Sequence, residues 1–396
     1  MSAAASGAGQ SAGVSGRVAD GYEPVLDAFA ATEPGQLGGA AVALVADGEV
    51  VVDLWAGQAA GAPDPRPWTA GTRAVVFSAT KGLVALCVLH LVQAGELDLD
   101  APVARYWPEF ASHGKGSVTV RQALAHRAGV PVVDSVRTRA DVLSWDAMVT
   151  AVAEQAPLWE PGTAYEYHSL TYGWLAGELV RRVGGELPGA CLREVFSAPL
   201  GLRTAIGVPA GDQSDIATVL AAPPADPTAP YGDPGDLGVR AISINGALTF
   251  PGGGPVHDWN DVDVLAAQIP GANGVSSARD LAVLYGAVVG SGSRPGLLSD
   301  AVLTDAMTVL SQGQDFSGGR PGDTPRWAAG IAVESPVRPM FGAGSFGHDG
   351  AGGQVAFGDL QHRSGFAYVT SRMGEDGDTR ANDVAAAARR VLTRTA

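Results

Sequence analysis

Residues 82–92 read GLVALCVLHLV. Wound as a helix, Leu83, Val84, Leu86, Val88, Leu89, Leu91 and Val92 cover nearly the whole circumference, which predicts burial on most sides. Such a helix needs other elements packed around it. With 396 residues, 46% of them hydrophobic, the chain has enough for one large domain or two intimate ones with a sizeable core. No apolar stretch reaches the roughly 18 residues that mark a membrane span.

Strand signals lie at both ends of the chain and helical signals between them. The small polar residues 1–16 predict a disordered leader. A helix is expected over 22–31. A hairpin follows, where GGAAVALVA and EVVVDLWAG flank the turn dipeptide Asp47-Gly48. From about residue 78 to 279, helical runs alternate with Pro/Gly-rich loops, including the long loop 221–238. Ser277 reads as the N-cap of a further helix. WAAGIAVES, SFGHDGAGGQVAFGD and GFAYVTSRM return to strands, and a last helix is expected over 383–392. The expected class is therefore α/β. Residues 17–76 and 273–396 form a discontinuous sheet domain, residues 77–272 an inserted, mostly helical one, and the chemistry lies in the cleft between them.

The apolar helix carries an anomaly in its first turn. Lys81 is one of two lysines among 26 basic residues. Ser78-Ala79-Thr80-Lys81 is an S-x-x-K tetrad. Ser78 follows the strand-like AVVF and opens the helix, so the two side chains share a face at i and i+3. First-turn amides lack intrahelical partners and, with the positive end of the helix dipole, favour an oxyanion beside Ser78. Burial disfavours a charged lysine and lowers its pKa, which makes it a candidate proton acceptor; arginine would stay protonated. The same residues also suit an N-cap serine with a lysine snorkelling to water. Ser112-His113-Gly114-Lys115 repeats the spacing within FASHGKGSVT, and there Lys115 reads as an exposed loop charge.

Two further segments offer partners for a serine nucleophile. WEPGTAYEYHSLTYGWLAGELVRR supplies Tyr165, Tyr167 and His168 just before a helix. A tyrosine beside a cationic lysine ionises more easily and can act as the base. His348, Asp349 and Gly350 sit in a glycine-flanked strand, where a ligand or another backbone can approach closely. The amide of Ala351 is a candidate oxyanion donor. His126 reads as a packing or loop-bracing histidine. Phe250 and Trp259, beside or within the loop 251–263, are candidates for lining a substrate pocket; Trp259 equally suits pinning its loop.

In this order and spacing the segments resemble the serine β-lactamase/penicillin-binding-protein superfamily, and most of all its class C β-lactamase-like carboxylesterase branch, the family VIII esterases. FSATKG resembles the nucleophile motif, VTVRQALAHRAGVP the segment after the first helices, and PGTAYEYHSLTYGWLAGELVRRVGG the tyrosine motif. FSAPLGLRTAIGVP, GANGVSSARDLAVL and FGHDGAGG match later landmarks. The resemblance implies a β-lactamase/DD-peptidase-like fold, an antiparallel sheet flanked by helices with the inserted helical domain. It implies Ser78 as acylated nucleophile, Lys81 as its activating partner, Tyr167 as the Y-x-N tyrosine, and the Ser78 and Ala351 amides as oxyanion hole. Ser169 stands in the asparagine's place and His348-Asp349-Gly350 in that of K-T-G, two departures. Esterase members often carry histidine there, with His348 then helping deacylation. Asp349 puts negative charge near the acyl pocket, which argues against recognition of β-lactam-like carboxylates. Ser169, Asp349 and Gly350 are the implied substrate contacts.

The implied activity is that of a serine carboxylesterase acting on a small-molecule ester through an acyl-enzyme, without cofactor or metal. Acyl transfer in secondary metabolism, amide or D-peptide hydrolysis and weak β-lactam hydrolysis run on the same machinery, and a catalytically silent binding protein shares the fold. A net charge of −15 disfavours nucleic acid and anionic membranes as partners. The histidines and cysteines show no metal-ligand spacing. Two cysteines are too few for a disulfide framework, Cys87 reads as a core residue, and the first residues lack the features of an export signal, so a cytoplasmic location is expected. Residues 9–13 fit G-x-S-x-G but lie in the leader; residues 342–347 fit G-x-G-x-x-G but precede a strand, not a helix.

Overall fold

A computed structural model of the chain describes residues 13–36, 38–61, 64–136, 138–221, 235–249, 257–318, 324–374 and 378–395. The strands are β1 (Val14–Val18), β2 (Gly39–Ala46), β3 (Glu49–Ala60), β4 (Arg66–Pro67), β5 (Ala74–Val75), β6 (Ala205–Ile206), β7 (Gly274–Ser276), β8 (Arg326–Trp327), β9 (Ala332–Val333), β10 (Ser345–Gly350), β11 (Gln354–Asp359) and β12 (Ser364–Thr370). The helices are α1 (Glu23–Ala31), α2 (Ala79–Gln93), α3 (Val120–Leu124), α4 (Arg139–Leu143), α5 (Trp145–Glu154), α6 (Thr171–Gly184), α7 (Pro188–Cys191), α8 (Leu237–Ser243), α9 (His257–Asn260), α10 (Val262–Ala266), α11 (Ala278–Val289), α12 (Asp300–Ala306) and α13 (Arg380–Thr395).

Strands from both ends of the chain build one antiparallel sheet, in the order β1-β3-β2-β12-β11-β10-β9-β8, with β4 added to β3. Its first hairpin turns where the sequence places it. Asp47 and Gly48 have φ of 48° and 83°, the paired positive angles of a tight turn that Asp-Gly tolerates. Strand alternation then separates two apolar layers. Val42, Leu44, Phe366 and Tyr368 join Val25, Phe29, Val384 and Ala388 of the paired helices α1 and α13. Ala43, Val45, Ala367 and Val369 face the opposite way, towards α11. From there one continuous apolar cluster passes through α11 and α2 into α5 and α6. Every residue of α2 from Ala79 to Leu89 is buried, as its all-round apolar pattern predicts.

A second, three-stranded sheet, β5-β7-β6, lies under the start of α2. Val76 donates its amide to the Gly274 carbonyl at 2.8 Å, which fixes the chain one residue before it turns into the helix.

Three expectations need correction. The strand β1 starts inside the stretch expected to be a disordered leader, and Val14 pairs with Ala56. Its order comes from hydrogen bonds to β3, which its small polar composition does not reveal. Lys115 is not an exposed loop charge but has no solvent-exposed surface. Its ammonium donates to the carbonyls of Ser112, Ala153 and Gln155 at 3.0, 3.0 and 2.6 Å, and burial lowers it to about 8. Residues 257–260 of the expected loop 251–263 are helical and a further helix, 262–266, begins within it, and Asp236 caps α8 at the end of the loop 221–238. Phe250 and residues 222–234 lie outside the described residues.

Candidate active site

Ser78 is the N-cap of α2, and its side chain makes no capping bond. The residue before it, Phe77, is held at φ 44°, a left-handed conformation uncommon for a bulky side chain. Packing fixes this corner. Trp259 meets the Phe77 ring edge-on at 5.3 Å, and Thr80 Oγ1 donates to the Phe77 carbonyl at 2.5 Å while the Gly274 amide bonds to Thr80 Oγ1 at 2.8 Å. Ser78 itself remains partly exposed.

Lys81 has no exposed surface. Its Nζ lies 2.9 Å from Ser78 Oγ and donates to the Gly271 carbonyl at 2.8 Å. Among the described residues no carboxylate forms an ion pair with it. Desolvation therefore holds Lys81 well below the ordinary lysine range; Asp349 opposes this and Arg338 adds to it. A neutral amine that donates one hydrogen to Gly271 still has a lone pair for the Ser78 hydroxyl. The Tyr167 ring centroid lies 4.8 Å from Lys81 Nζ, and the Ser78 side chain also acts on the phenol. Burial pushes the Tyr167 phenol up. Thus both groups flanking Ser78 favour their neutral forms, whereas the sequence suggested a cationic lysine easing tyrosine ionisation.

β10 closes the other side. An ideal Cβ on Gly350 would lie 2.2 Å from the Val76 carbonyl oxygen, so only glycine lets this strand end approach the turn that leads into Ser78 so closely. The next residue is Ala351. Among the described residues the amides of Ser78 and Ala351 have no hydrogen-bond acceptor. His348 is 1% exposed, and its Nδ1 is 2.5 Å from the Asp349 carbonyl. A carbonyl can only accept, so Nδ1 carries the proton and the buried Nε2, without a partner among the described residues, presents a lone pair. Burial lowers His348 to about 3, so the ring is neutral at ordinary pH.

The remaining expected contacts are placed differently from one another. Ser169 is 7% exposed. Asp349 does not stand as a bare charge: its Oδ1 is 2.6 Å from Arg338 Nε. Burial opposes its ionisation, but Arg338 and His348 outweigh that and keep the carboxyl below its usual range. Trp259 is 1% exposed, packs on Phe77 and donates to the Thr249 carbonyl at 2.8 Å, so it pins its loop instead of lining an open pocket. His126 braces the tyrosine segment, accepting the His168 amide at 3.2 Å through Nδ1. Three contributors escaped the sequence reading. The Gly271 carbonyl is a backbone atom within a recognised landmark, GANGV. Trp327, stacked on Tyr167 at 4.9 Å and 20°, and Arg338, 4.4 Å from the Trp327 ring, lie in short segments without periodicity.

A serine at a helix start is thus met by a buried amine and a phenol beside strand β10 of the antiparallel sheet. The chain belongs to the Beta-lactamase family, whose model matches residues 26–390. It is 33% identical over 372 residues to the esterase/beta-lactamase LipL of Mycobacterium tuberculosis, spanning 88% of this chain and 81% of that one. It resembles the crystal structure of a family VIII carboxylesterase, with TM-score 0.83 and 33% identity over 96% of this chain and 99% of the other. EstA from Arthrobacter nitroguajacolicus Rue61a gives TM-score 0.84 and 32% identity over the same 96% and 99%. The superfamily, its carboxylesterase branch and the fold class expected from the sequence are thereby borne out.

Proposed function

We propose that the chain is a serine carboxylesterase that cleaves small-molecule esters through an acyl-enzyme on Ser78. The observation that carries the reading is the fully buried Lys81 amine 2.9 Å from Ser78 Oγ. Neutral Lys81 takes the Ser78 proton as Oγ attacks the ester carbonyl, and Tyr167, which flanks Ser78 together with Lys81, relays that proton to the departing alkoxide. The Ser78 and Ala351 amides hold the tetrahedral oxyanion. Water then attacks the acyl-enzyme; it loses its proton to the Tyr167–Lys81 pair and releases the acid. His348, too weak a base to take that proton, orients the water through Nε2. Ester-cleaving relatives and a histidine in place of the K-T-G lysine support esters as substrates. The free thiols of Cys87 and Cys191 are in keeping with a cytoplasmic location.

Ser78→Ala is expected to abolish turnover of a p-nitrophenyl ester. Lys81→Arg tests the role of the amine, because it keeps the charge but cannot surrender a proton. A loss of about 1,000-fold in kcat is expected, and a near-normal rate would remove lysine from the mechanism.

A further inference from the structure

Asp349 is an unusual residue to place one position from His348, on the strand that closes the site. A carboxylate there raises Lys81 and opposes the neutral amine that the chemistry needs. Arg338 is built around this problem. It follows β9 and is held in a turn, where its amide bonds to the Ser335 carbonyl at 3.0 Å. Its Nε contacts Asp349 Oδ1 at 2.6 Å, and its guanidinium carbon lies 4.4 Å from the Trp327 ring centroid. Trp327 lies almost flat on Tyr167, with centroids 4.9 Å apart and planes 20° from parallel. Tyr167 in turn lies under Lys81 Nζ at 4.8 Å. Guanidinium, indole, phenol and amine form one continuous stack, and the Arg338 side chain is only 18% exposed.

We infer that Arg338 is a positioning residue for the proposed ester hydrolysis: it clamps the Trp327–Tyr167 stack and cancels the charge of Asp349 beside Lys81. The inference rests on the reading of Ser78, Lys81 and Tyr167 as the reacting groups. The other groups around Lys81 are neutral or weakly titrating. They are Ser78 on its own helix, Tyr167 from the segment leading into α6, Tyr172 in the first turn of α6, and His126 from the loop after α3. Tyr285 of α11 stands beside Gly82, and His348 of β10 stands before Asp349. Among the described residues, Asp349 and Arg338 are therefore the permanent charges that act on this amine, and they act in opposite directions. A planar, always-charged guanidinium can stack and pair at once, which a lysine ammonium does less well.

The signs make the test specific. In Arg338→Met the uncompensated Asp349 favours protonated Lys81, so the acid limb of kcat/KM for a p-nitrophenyl ester moves to higher pH, by about half a unit or more. Asp349→Asn removes the anion and leaves the cation, so the limb moves to lower pH. The double variant returns towards the wild-type profile, with kcat still reduced because the stack is unclamped. Thermal unfolding is followed in parallel, since a merely structural role lowers stability or kcat without moving the limb. If Arg338→Met does not fold, Asp349→Asn still decides by the direction of its shift. Profiles that superimpose on wild type, or that shift in the same direction in both single variants, overturn the inference. Absence of ester turnover in the wild-type protein would instead overturn the underlying reading.

Discussion

Lys81 and Gly350 do opposite kinds of work at one serine. Lys81 acts by what burial does to its charge: an ammonium with three donors and no carboxylate paired with it among the described residues is costly to bury, and the amine form is not. Gly350 acts by what it lacks, a Cβ that would sit 2.2 Å from the Val76 carbonyl oxygen. Gly350→Ala must therefore push the end of β10 away from the turn into Ser78 and shift the Ala351 amide. Loss of one oxyanion donor corresponds to about 100- to 1,000-fold in kcat. Steady-state kinetics beside an unchanged circular dichroism spectrum would show it, and an unaffected kcat would argue against Ala351 as a donor. Ser78 and Lys81 were legible because their tetrad precedes an apolar run that announces its own burial. Tyr167 was legible only alongside Tyr165 and His168 until the resemblance singled it out, because three polar aromatics in one loop do not say which one reaches the serine.

Helices and strands put these residues in place through their ends. Ser78 opens α2, Ala351 follows β10, and the Gly271 carbonyl precedes β7. Helix ends also explain Lys115. Its ammonium reaches the Ala153 and Gln155 carbonyls at the C-terminus of α5, where backbone acceptors lack intrahelical partners and the dipole is negative. Lys115→Met leaves those buried acceptors unpaired and is expected to destabilise the protein by about 2–4 kcal/mol. Urea unfolding measures this, while ester turnover by the folded fraction stays near wild type. Hairpins and caps were readable in advance, since Asp47-Gly48 and the Ser277 cap are local signals: Ser277 accepts the Asp280 amide as expected. The two-residue strands β8 and β9 were not resolved as separate elements within WAAGIAVES, because two residues carry no periodicity.

One apolar cluster joins the inner face of the sheet to α2, α5 and α6. A chain whose helical part shares its core with the sheet should lose both together. Far-UV circular dichroism and tryptophan fluorescence are therefore expected to report superimposable urea transitions; two separated transitions would mean that the parts are stable independently. The same continuity decides where meaning resides in the sequence. Patterns that act over a few residues were enough to state the α/β class, the central buried helix and the serine-lysine pair at its start. Contacts across long separations were beyond them. Lys81 and Lys115 share one spacing, yet their opposite roles depend on partners 190 and about 40 residues away. The stack of Arg338, Trp327 and Tyr167 likewise exists only after β8 and β9 dock beside the tyrosine loop. Local spacing reports which face a side chain takes, whereas desolvation and charge are set by whatever the folded chain packs against that face.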